Sequence, residues 1–251
     1  MAVYFRVLRF RKRYLLYGLV LLLLALKIYD HTQFKMEQKT VQAMAWSVTN
    51  KVIVIDPGHG GIDPGKVSAN GVKEKDINLE ISQRLATILS QAGSAVILTR
   101  ETDTQLSSAS TKGLAAKHRE DLSKRVKLAN DNQADLYISI HCNSFPDSRE
   151  RGGQVFYGPR QQESKILAES IQHEIVRLLD NTRRKAKGVD YYITRNTNMP
   201  AVIVEAGFIT NPKEEQLLLD PTHQSKMAWS IYAGIIKYYA DKAESYGDIP
   251  H

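Results

Sequence analysis

Residues able to bind a metal stand at the ends of three strand-like apolar segments. His59 lies in a glycine-rich stretch directly after the first segment, His141 closes the second, and Glu205 follows the third. In an open α/β sheet, ligands bind beyond the carboxyl ends of the strands, where such side chains meet. Neutral imidazoles and carboxylates are ligands that Zn²⁺ accepts. These residues therefore indicate a mononuclear zinc site.

A catalytic zinc site needs more than these groups. It needs a third protein ligand, an open position for water and a carboxylate that takes the proton of the water. The candidates for the remaining ligand and for the base are Glu74, Asp76 and Glu205. Residue types alone leave these roles open. Glu205 could instead form a salt bridge with Arg125 or Arg195.

Two neighbouring polar residues receive structural interpretations. Cys142 adjoins His141, but side chains alternate along a strand, so the cysteine points away from the histidine and is expected to be a small buried side chain. Asp56 precedes the glycine-rich stretch and is interpreted as a cap of that turn. The stretch lacks the Gly-Lys-Ser/Thr of a phosphate loop, so nucleotide binding is not expected.

Positioning these residues requires a sheet with helices around it. From about residue 50, short β-branched segments alternate with amphipathic helical patterns, which is typical of an α/β fold with helices on both faces. We expect a single domain with a central mixed, mostly parallel sheet. Strands are predicted at 52–56, 95–100, 136–141, 153–157, 191–194 and 201–206. Helices are predicted at 77–91, 122–132, 163–179 and 224–239, and residues 104–119 are predicted to form a mobile loop.

The beginning of the chain is typical of a segment that directs a protein to a membrane. The basic cluster from Arg6 to Arg13 precedes the apolar run from Tyr14 to Leu26, which is the order found in export signals. A cleaved signal peptide and a retained membrane anchor both stay open for residues 1–30, with a buried N-terminal helix as the alternative. Residues 31–49 are expected to be a tether and residues 50–245 one catalytic domain. The positive-inside rule then places that domain outside the cytoplasm.

Composition excludes several classes of protein. With 251 residues, of which 43% are hydrophobic and 24% charged, the chain can bury a core, which excludes general disorder. A single cysteine excludes a disulfide framework and zinc sites built on cysteine pairs. The formal charge is +7, but five basic residues stand in the cluster before residue 14. Because the remainder is nearly neutral, nucleic acid is not an expected partner.

The motifs, taken in order, resemble those of one enzyme family. The chain resembles the zinc-dependent N-acetylmuramoyl-L-alanine amidases of type 3 from about residue 51 to residue 239. The resemblance is carried by Ile55-Asp56-Pro57-Gly58-His59-Gly60-Gly61, Lys73-Glu74-Lys75-Asp76, Arg125-Val126, Ser139-Ile140-His141 and Pro200-Ala201-Val202-Ile203-Val204-Glu205-Ala206-Gly207-Phe208. It implies that His59, Glu74 and His141 are the Zn²⁺ ligands and that Glu205 is the catalytic carboxylate. It also implies hydrolysis of the amide between N-acetylmuramic acid and L-alanine in peptidoglycan.

The size, the single domain and the basic N-terminal segment are most similar to family members that act on the spore cortex for germination. This resemblance implies that the stem peptide is removed in preparation for muramic δ-lactam formation. It further implies a location at the outer face of the bacterial membrane, in the cell wall or cortex, and it allows for an activating protein partner. Two alternatives stay open: another zinc peptidase acting within the wall peptide, and a non-catalytic protein that binds the wall or activates a partner.

Overall fold

The computed structural model describes residues 12–246 and separates into two units, Met1–Ala43 and Met44–His251. The first unit holds helix α1, Lys12–Ala43, which continues through residues 31–43 of the expected tether. Most of the predicted basic cluster lies outside the described residues. Within residues 12–246, no helix combines the length and the apolar character that crossing a membrane requires.

The second unit is built on a six-stranded sheet. Its strands are β1 (Val52–Pro57), β2 (Ala95–Leu98), β3 (Leu136–Asn143), β4 (Gln154–Tyr157), β5 (Lys187–Gly188) and β6 (Ala201–Phe208). Their order is β2-β1-β3-β6-β4-β5, and every neighbouring pair is parallel except β4 with β6. This confirms the predicted mixed, mostly parallel sheet. It also brings the carboxyl ends of β1, β3 and β6 to one edge.

Helices cover both faces of this sheet. They are α2 (Glu74–Gln91), α3 (Leu114–Asp131), α4 (Gln162–Leu179), α5 (Tyr192–Asn196), α6 (Pro212–Leu219) and α7 (Pro221–Tyr246). On one face, α7 contacts both α2 and α4. On the other face, Val126 of α3 and Ile193 of α5 pack with Tyr137 of β3. A 3₁₀ turn, Ala45–Val48, precedes the sheet and buries Val48.

The strands that carry the polar residues are themselves apolar on both faces. Ile53, Val54 and Ile55 of β1 have no solvent exposure, and β6 begins with the equally buried Ala201 and Val202. Continuous apolar runs are expected for parallel strands that helices cover on both sides. Burying one Val or Ile side chain fully contributes about 1.5–3 kcal/mol. The polar residues at the sheet edge are therefore held in place by strands whose preceding residues are fully buried.

The predicted strand at 191–194 is wrong. Tyr192–Asn196 form the short helix α5, and the edge strand is Lys187–Gly188, which pairs with β4. Aromatic and β-branched residues favour a strand by propensity, but strand propensity depends strongly on packing. Here Ile193 is buried in a cluster with Val126 of α3, so tertiary packing selects the helix.

The predicted loop at 104–119 is shorter than expected. Helix α3 begins at Leu114 instead of residue 122. Gly113 has a positive φ of 86°, which glycine adopts without strain, and it leads the chain into the helix. The remaining loop is fastened to α3, because Leu106 N donates a hydrogen bond to Asp121 Oδ1.

Helix α6 is absent from the predicted elements, although its first turn carries a clear sequence signal. The Asn211 side chain accepts hydrogen bonds from Lys213 N and Glu214 N, and Pro212 occupies the first helical position. Asparagine at the N-cap and proline directly after it are both favoured at helix starts.

Candidate active site

The structure brings His59, Glu74 and His141 together at the predicted sheet edge. Atoms of these residues that can bind a metal all lie within 4.8 Å of one another. His59 follows β1, His141 is part of β3, and Glu74 is the first residue of α2, so three elements fix the cluster. Two imidazoles and one carboxylate match the donor set of a catalytic Zn²⁺ site. Glu205 stands beside His141 in the register of β3 and β6, whereas Asp76 is exposed and outside the cluster.

His59 adopts a backbone conformation that few residues other than glycine tolerate. Its φ is +63°, in the left-handed region, and such strain is concentrated at functional sites. Arg125 Nη2 donates a hydrogen bond to the His59 carbonyl at 2.7 Å, which helps to hold this conformation. The ring of His59 then points toward Glu74, with 3.2 Å between Nε2 and Oε1.

Asp63 orients the His59 ring from behind. The distance from His59 Nδ1 to Asp63 Oδ2 is 2.8 Å. Because an ionised carboxylate only accepts hydrogen bonds, Nδ1 carries the proton and Nε2 faces the cluster. Burial lowers the pKa of His59, but the hydrogen bonds with Asp63 and Glu74 outweigh it and raise the pKa to about 9. Asp63 is absent from the predicted site residues. Its position in the same turn, four residues after His59, could have indicated a contact between the two side chains.

Donors hold both oxygens of the Glu74 carboxylate. Oε1 accepts a hydrogen bond from Cys142 N at 3.0 Å and lies 3.0 Å from His141 Nδ1. Oε2 accepts from Lys66 N at 2.8 Å. Burial favours the neutral carboxyl, but the hydrogen bonds with His141 and His59 outweigh burial and hold the pKa of Glu74 well below its ordinary value. Glu74 is therefore an anion, which is the form that binds a metal.

Two glycines leave the space that the cluster occupies. A Cβ atom on Gly58 would lie 2.2 Å from the His141 ring. A Cβ atom on Gly65 would lie 2.7 Å from Glu74 Oε2, and Gly65 has a φ of +64°. Any side chain at either position would push a member of the cluster out of place.

The Glu205 carboxylate, unlike that of Glu74, is not surrounded by hydrogen-bond donors in the described part of the chain. Its Oε2 atom is buried and has no hydrogen-bond partner among the residues that the structure describes. Burial raises the pKa of Glu205 to about 7, against the lowering effect of His141. A pKa near 7 suits a group that takes up and returns a proton at neutral pH.

Arg125 is buried and contacts the end of β1, just before His59. Its guanidinium donates hydrogen bonds to Asp56 Oδ1 at 2.5 Å and to the Pro57 carbonyl at 2.8 Å. Burial raises the pKa of Asp56, but the charge of Arg125 and the hydrogen bonds from Thr99, Ser139 and Arg125 together outweigh burial and hold that pKa well below its ordinary value. The interpretation of Asp56 as a turn cap is therefore wrong, because its carboxylate forms a buried ion pair. Removing one partner of such a pair typically costs about 3–5 kcal/mol.

The arginines considered as partners of Glu205 are committed to other acids. Arg125 pairs with Asp56, and Arg195 pairs with Asp190 at 2.7 Å. Within residues 12–246, Glu205 forms no salt bridge, so the salt-bridge alternative is wrong.

Cys142 is a buried structural residue, as predicted. Its side chain is 4% exposed, and Sγ lies 3.5 Å from Asn78 Oδ1. Burial raises the pKa of the thiol well above its ordinary value. A protonated, buried thiol is not a nucleophile.

A cleft of about 590 Å³ opens beside His59, between the turn after β1 and the first turns of α3. This volume is in the range of small-molecule and short-peptide sites. A larger cavity of about 1390 Å³ lies between the segment before β4 and the start of α6, and none of the predicted site residues lines it.

Residues 53–237 match the family described as N-acetylmuramoyl-L-alanine amidase. The match spans well over half of the chain, and the chain belongs to this family. It is accordingly an enzyme that hydrolyses the amide between N-acetylmuramic acid and L-alanine.

Individual members of the family show how similar this chain is to particular amidases. The chain is 44% identical over 202 residues to the germination-specific N-acetylmuramoyl-L-alanine amidase of Bacillus subtilis (strain 168), which covers 79% of this chain and 85% of the relative. It is 36% identical to the amidase LytC of the same strain over 76% of this chain, but spans only 36% of LytC. Its structure is similar to that of the CwlD amidase from Clostridioides difficile in complex with the GerS lipoprotein, with a TM-score of 0.75 and 41% identity over 76% of this chain and 100% of that chain. The family that the motifs predict is thus confirmed.

Proposed function

We propose that the enzyme is a zinc amidase in which His59, Glu74 and His141 hold the metal and Glu205 transfers the proton. The observation that carries this assignment is the unpartnered Oε2 atom of Glu205 beside a cluster of two imidazoles and one carboxylate. The donor chemistry of the cluster fits Zn²⁺. Zinc, when bound, supplies a Lewis acid for water and for the lactyl carbonyl of N-acetylmuramic acid.

The protein side chains have separate tasks in this proposal. Glu205 accepts the proton of the attacking water and returns it to the leaving amine of L-alanine, which its pKa near 7 supports. Asp63 keeps the proton of His59 on Nδ1. The backbone amides of Lys66 and Cys142 hold the Glu74 carboxylate in position.

The test is to label the amino termini that the zinc-loaded protein releases from peptidoglycan. We expect L-alanine termini from the wild type and none from Glu205→Ala, with equal zinc content in both proteins by elemental analysis. A terminus other than L-alanine would identify a peptidase acting within the wall peptide. Absence of any new terminus from the wild type would favour the non-catalytic alternative.

The proposal extends to the spore cortex as the substrate. The support is the 44% identity to a germination-specific amidase over most of both chains. In this role, removal of the stem peptide precedes muramic δ-lactam formation. Spores of a deletion strain should lack the δ-lactam in their cortex, and a normal δ-lactam content would contradict this role.

A location outside the cytoplasm and an activating partner complete the proposal. The order of basic and apolar residues in 1–30 supports export with attachment to the membrane. The CwlD amidase was solved with a lipoprotein, which supports a protein partner of the same kind here. Cell fractionation should find the chain with the membrane or cortex, and a lipoprotein of the same organism should co-elute with it. A purely cytoplasmic chain would contradict export.

A further inference from the structure

Glu74 reaches the cluster with His59 and His141 from the end of a short loop, residues 66–73. The two ends of the loop are bonded to each other. Lys66 N donates a hydrogen bond to Glu74 Oε2 at 2.8 Å, and Glu74 N donates one to the Lys66 carbonyl at 2.9 Å. Val67 and Lys73 form an isolated β-bridge beside them. The position of the Glu74 carboxylate therefore depends on the shape of this loop.

Ser68 holds the middle of the loop together. Its Oγ atom accepts hydrogen bonds from Asn70 N at 3.2 Å and from Val72 N at 3.1 Å, and its backbone N donates to the Val72 carbonyl. The residue is buried. A hydroxyl that accepts two hydrogen bonds still has one proton to donate. A buried donor needs an acceptor, which here comes from another part of the chain.

Glu215 of α6 supplies that acceptor. Ser68 Oγ donates to Glu215 Oε1 at 2.9 Å, and Asn70 Nδ2 donates to Glu215 Oε2 at 2.9 Å. Glu215 is 4% exposed, and within residues 12–246 it forms no salt bridge. Burying a carboxylate is costly unless donors surround it. Both oxygens of this buried acid therefore bind the loop that leads to Glu74.

Helix α6 is itself fixed to the sheet. The neighbouring acid, Glu214, accepts hydrogen bonds through Oε2 from Phe208 N and Gly152 N, both at 2.8 Å. Leu218, one turn later in α6, is buried in the core. Phe208 is the last residue of β6, the strand that also carries Glu205. Two consecutive acids of α6 thus connect the Glu74 loop to this strand.

We propose that Glu215 is a positioning residue, which holds the Glu74 carboxylate where it can bind the metal. Glu215 acts through the hydroxyl of Ser68 and the amide of Asn70, and it contacts neither metal nor substrate. The inference rests on the proposed function, in which Glu74 is a zinc ligand. An acid that only stabilised the fold would change the free energy of unfolding and leave the zinc affinity of the folded protein unchanged.

The test measures the zinc affinity of the full-length chain by competition with a chromogenic chelator. Glu215→Ala should lower the affinity by about tenfold, the lower end of the 10–100-fold that partners of a metal ligand contribute. Glu215→Gln should recover most of this loss. Its amide still accepts from Ser68 Oγ, and it can donate to the Asn70 amide once that amide has turned over.

The matched control is Glu174→Ala. It removes a similarly buried acid, which pairs with Arg177 within α4, and it should leave the zinc affinity unchanged. Urea unfolding of each variant gives the change in stability separately. Wild-type zinc affinity in Glu215→Ala, or an equal loss in Glu174→Ala, would overturn the proposal.

A second variant approaches the same contact from the loop. Ser68→Ala removes the hydroxyl and should also lower the zinc affinity, which keeps the proposal testable if Glu215→Ala does not fold. If Glu215 acts through Ser68, the double variant should lose little more than the larger of the two single losses. Losses that multiply would show independent effects and would contradict the proposal.

Glu74→Gln in the same assay separates this inference from the proposed function. If Glu74→Gln binds zinc as tightly as the wild type, the proposed ligand set is wrong. If Glu74→Gln loses affinity and Glu215→Ala does not, the ligand set stands and the positioning role of Glu215 is wrong.

Discussion

Glu74 and Glu205 are carboxylates of one site whose surroundings act on their charge in opposite ways. The hydrogen bonds of Glu74 with His141 and His59 hold its pKa well below the ordinary value. Glu205 has a buried Oε2 atom without a partner among the described residues, and its pKa is raised to about 7. Burial disfavours the charge of both residues, so the hydrogen-bond donors decide the difference.

This contrast shows how one residue type can take two roles in the same site. A carboxylate fixed as an anion is suited to hold a cation, and one that exchanges a proton near pH 7 is suited to acid–base chemistry. The histidines of the cluster keep Glu74 ionised, and two backbone amides hold its carboxylate in position. Substitutions at and around the two carboxylates test this contrast.

Glu205→Gln should cause the largest loss of activity. Glutamine keeps the size of the side chain but cannot accept the proton, and loss of a general base typically lowers turnover by about 10²–10⁴-fold. Zinc content should equal that of the wild type. The rate of L-alanine terminus release and elemental analysis of the same sample measure the two quantities. Unchanged turnover would show that another group transfers the proton.

Glu74→Gln should act on the metal first. The substitution removes the negative charge of a proposed ligand, and zinc affinity should fall by more than about 100-fold, since even the partners that orient a ligand contribute 10–100-fold. Competition with a chromogenic chelator measures the affinity, and Glu205→Gln is the matched control. Equal zinc affinities in the two variants would remove the distinction between the carboxylates.

The pH dependence of stability should also separate the two carboxylates. Glu205 has a folded-state pKa of about 7, above the ordinary 4.5, so the folded metal-free protein binds more protons than the unfolded chain between these values. Its contribution to stability should therefore decrease by about 3 kcal/mol as pH rises from 4.5 to 7. Glu74 has a lowered pKa and contributes stability that is present above pH 4.5 and lost as pH falls.

Urea unfolding of the metal-free protein over this pH range measures the Glu205 contribution. Glu205→Gln should gain stability relative to the wild type as pH approaches 7 and match it near pH 4. A difference between the two proteins that does not change with pH would contradict the raised pKa of Glu205.

Asp63→Ala should have the smallest effect of the four changes considered. The substitution removes the acceptor that fixes the His59 ring, and zinc affinity should fall by about 10–100-fold. Asp147→Ala changes an acid that pairs with Arg149 away from the cluster and serves as the control. The same chelator competition compares them. A similar loss in both variants would indicate a general effect of charge.

The positions of the site residues could be predicted because they depend on few contacts. Apolar runs fix where β1, β3 and β6 lie, and parallel strands bring their carboxyl ends to one edge. His59, His141 and Glu205 follow from that geometry. The roles of Glu74, Asp76 and Glu205 could not be separated by residue type, because they depend on burial and on tertiary contacts such as those of Glu74 with His141 and His59.

Two of the errors share one physical cause, which is tertiary packing. Asp56 reads locally as a turn cap, but Arg125, which lies 69 residues later, reaches it across the sheet. The segment around Ile193 reads as a strand, but its burial against α3 selects a helix. Local patterns do not contain such partners.

The hydrogen bond from Arg125 to the His59 carbonyl links the turn after β1 to helix α3. In the proposed zinc site, release of the ion should therefore depend on how often the part of α3 around Arg125 detaches from the sheet edge, which is a local opening event. The rate of metal exchange would then report how often α3 opens. The rate of zinc transfer to a chelator and the amide hydrogen exchange of α3 should accordingly change together when solvent conditions loosen that helix.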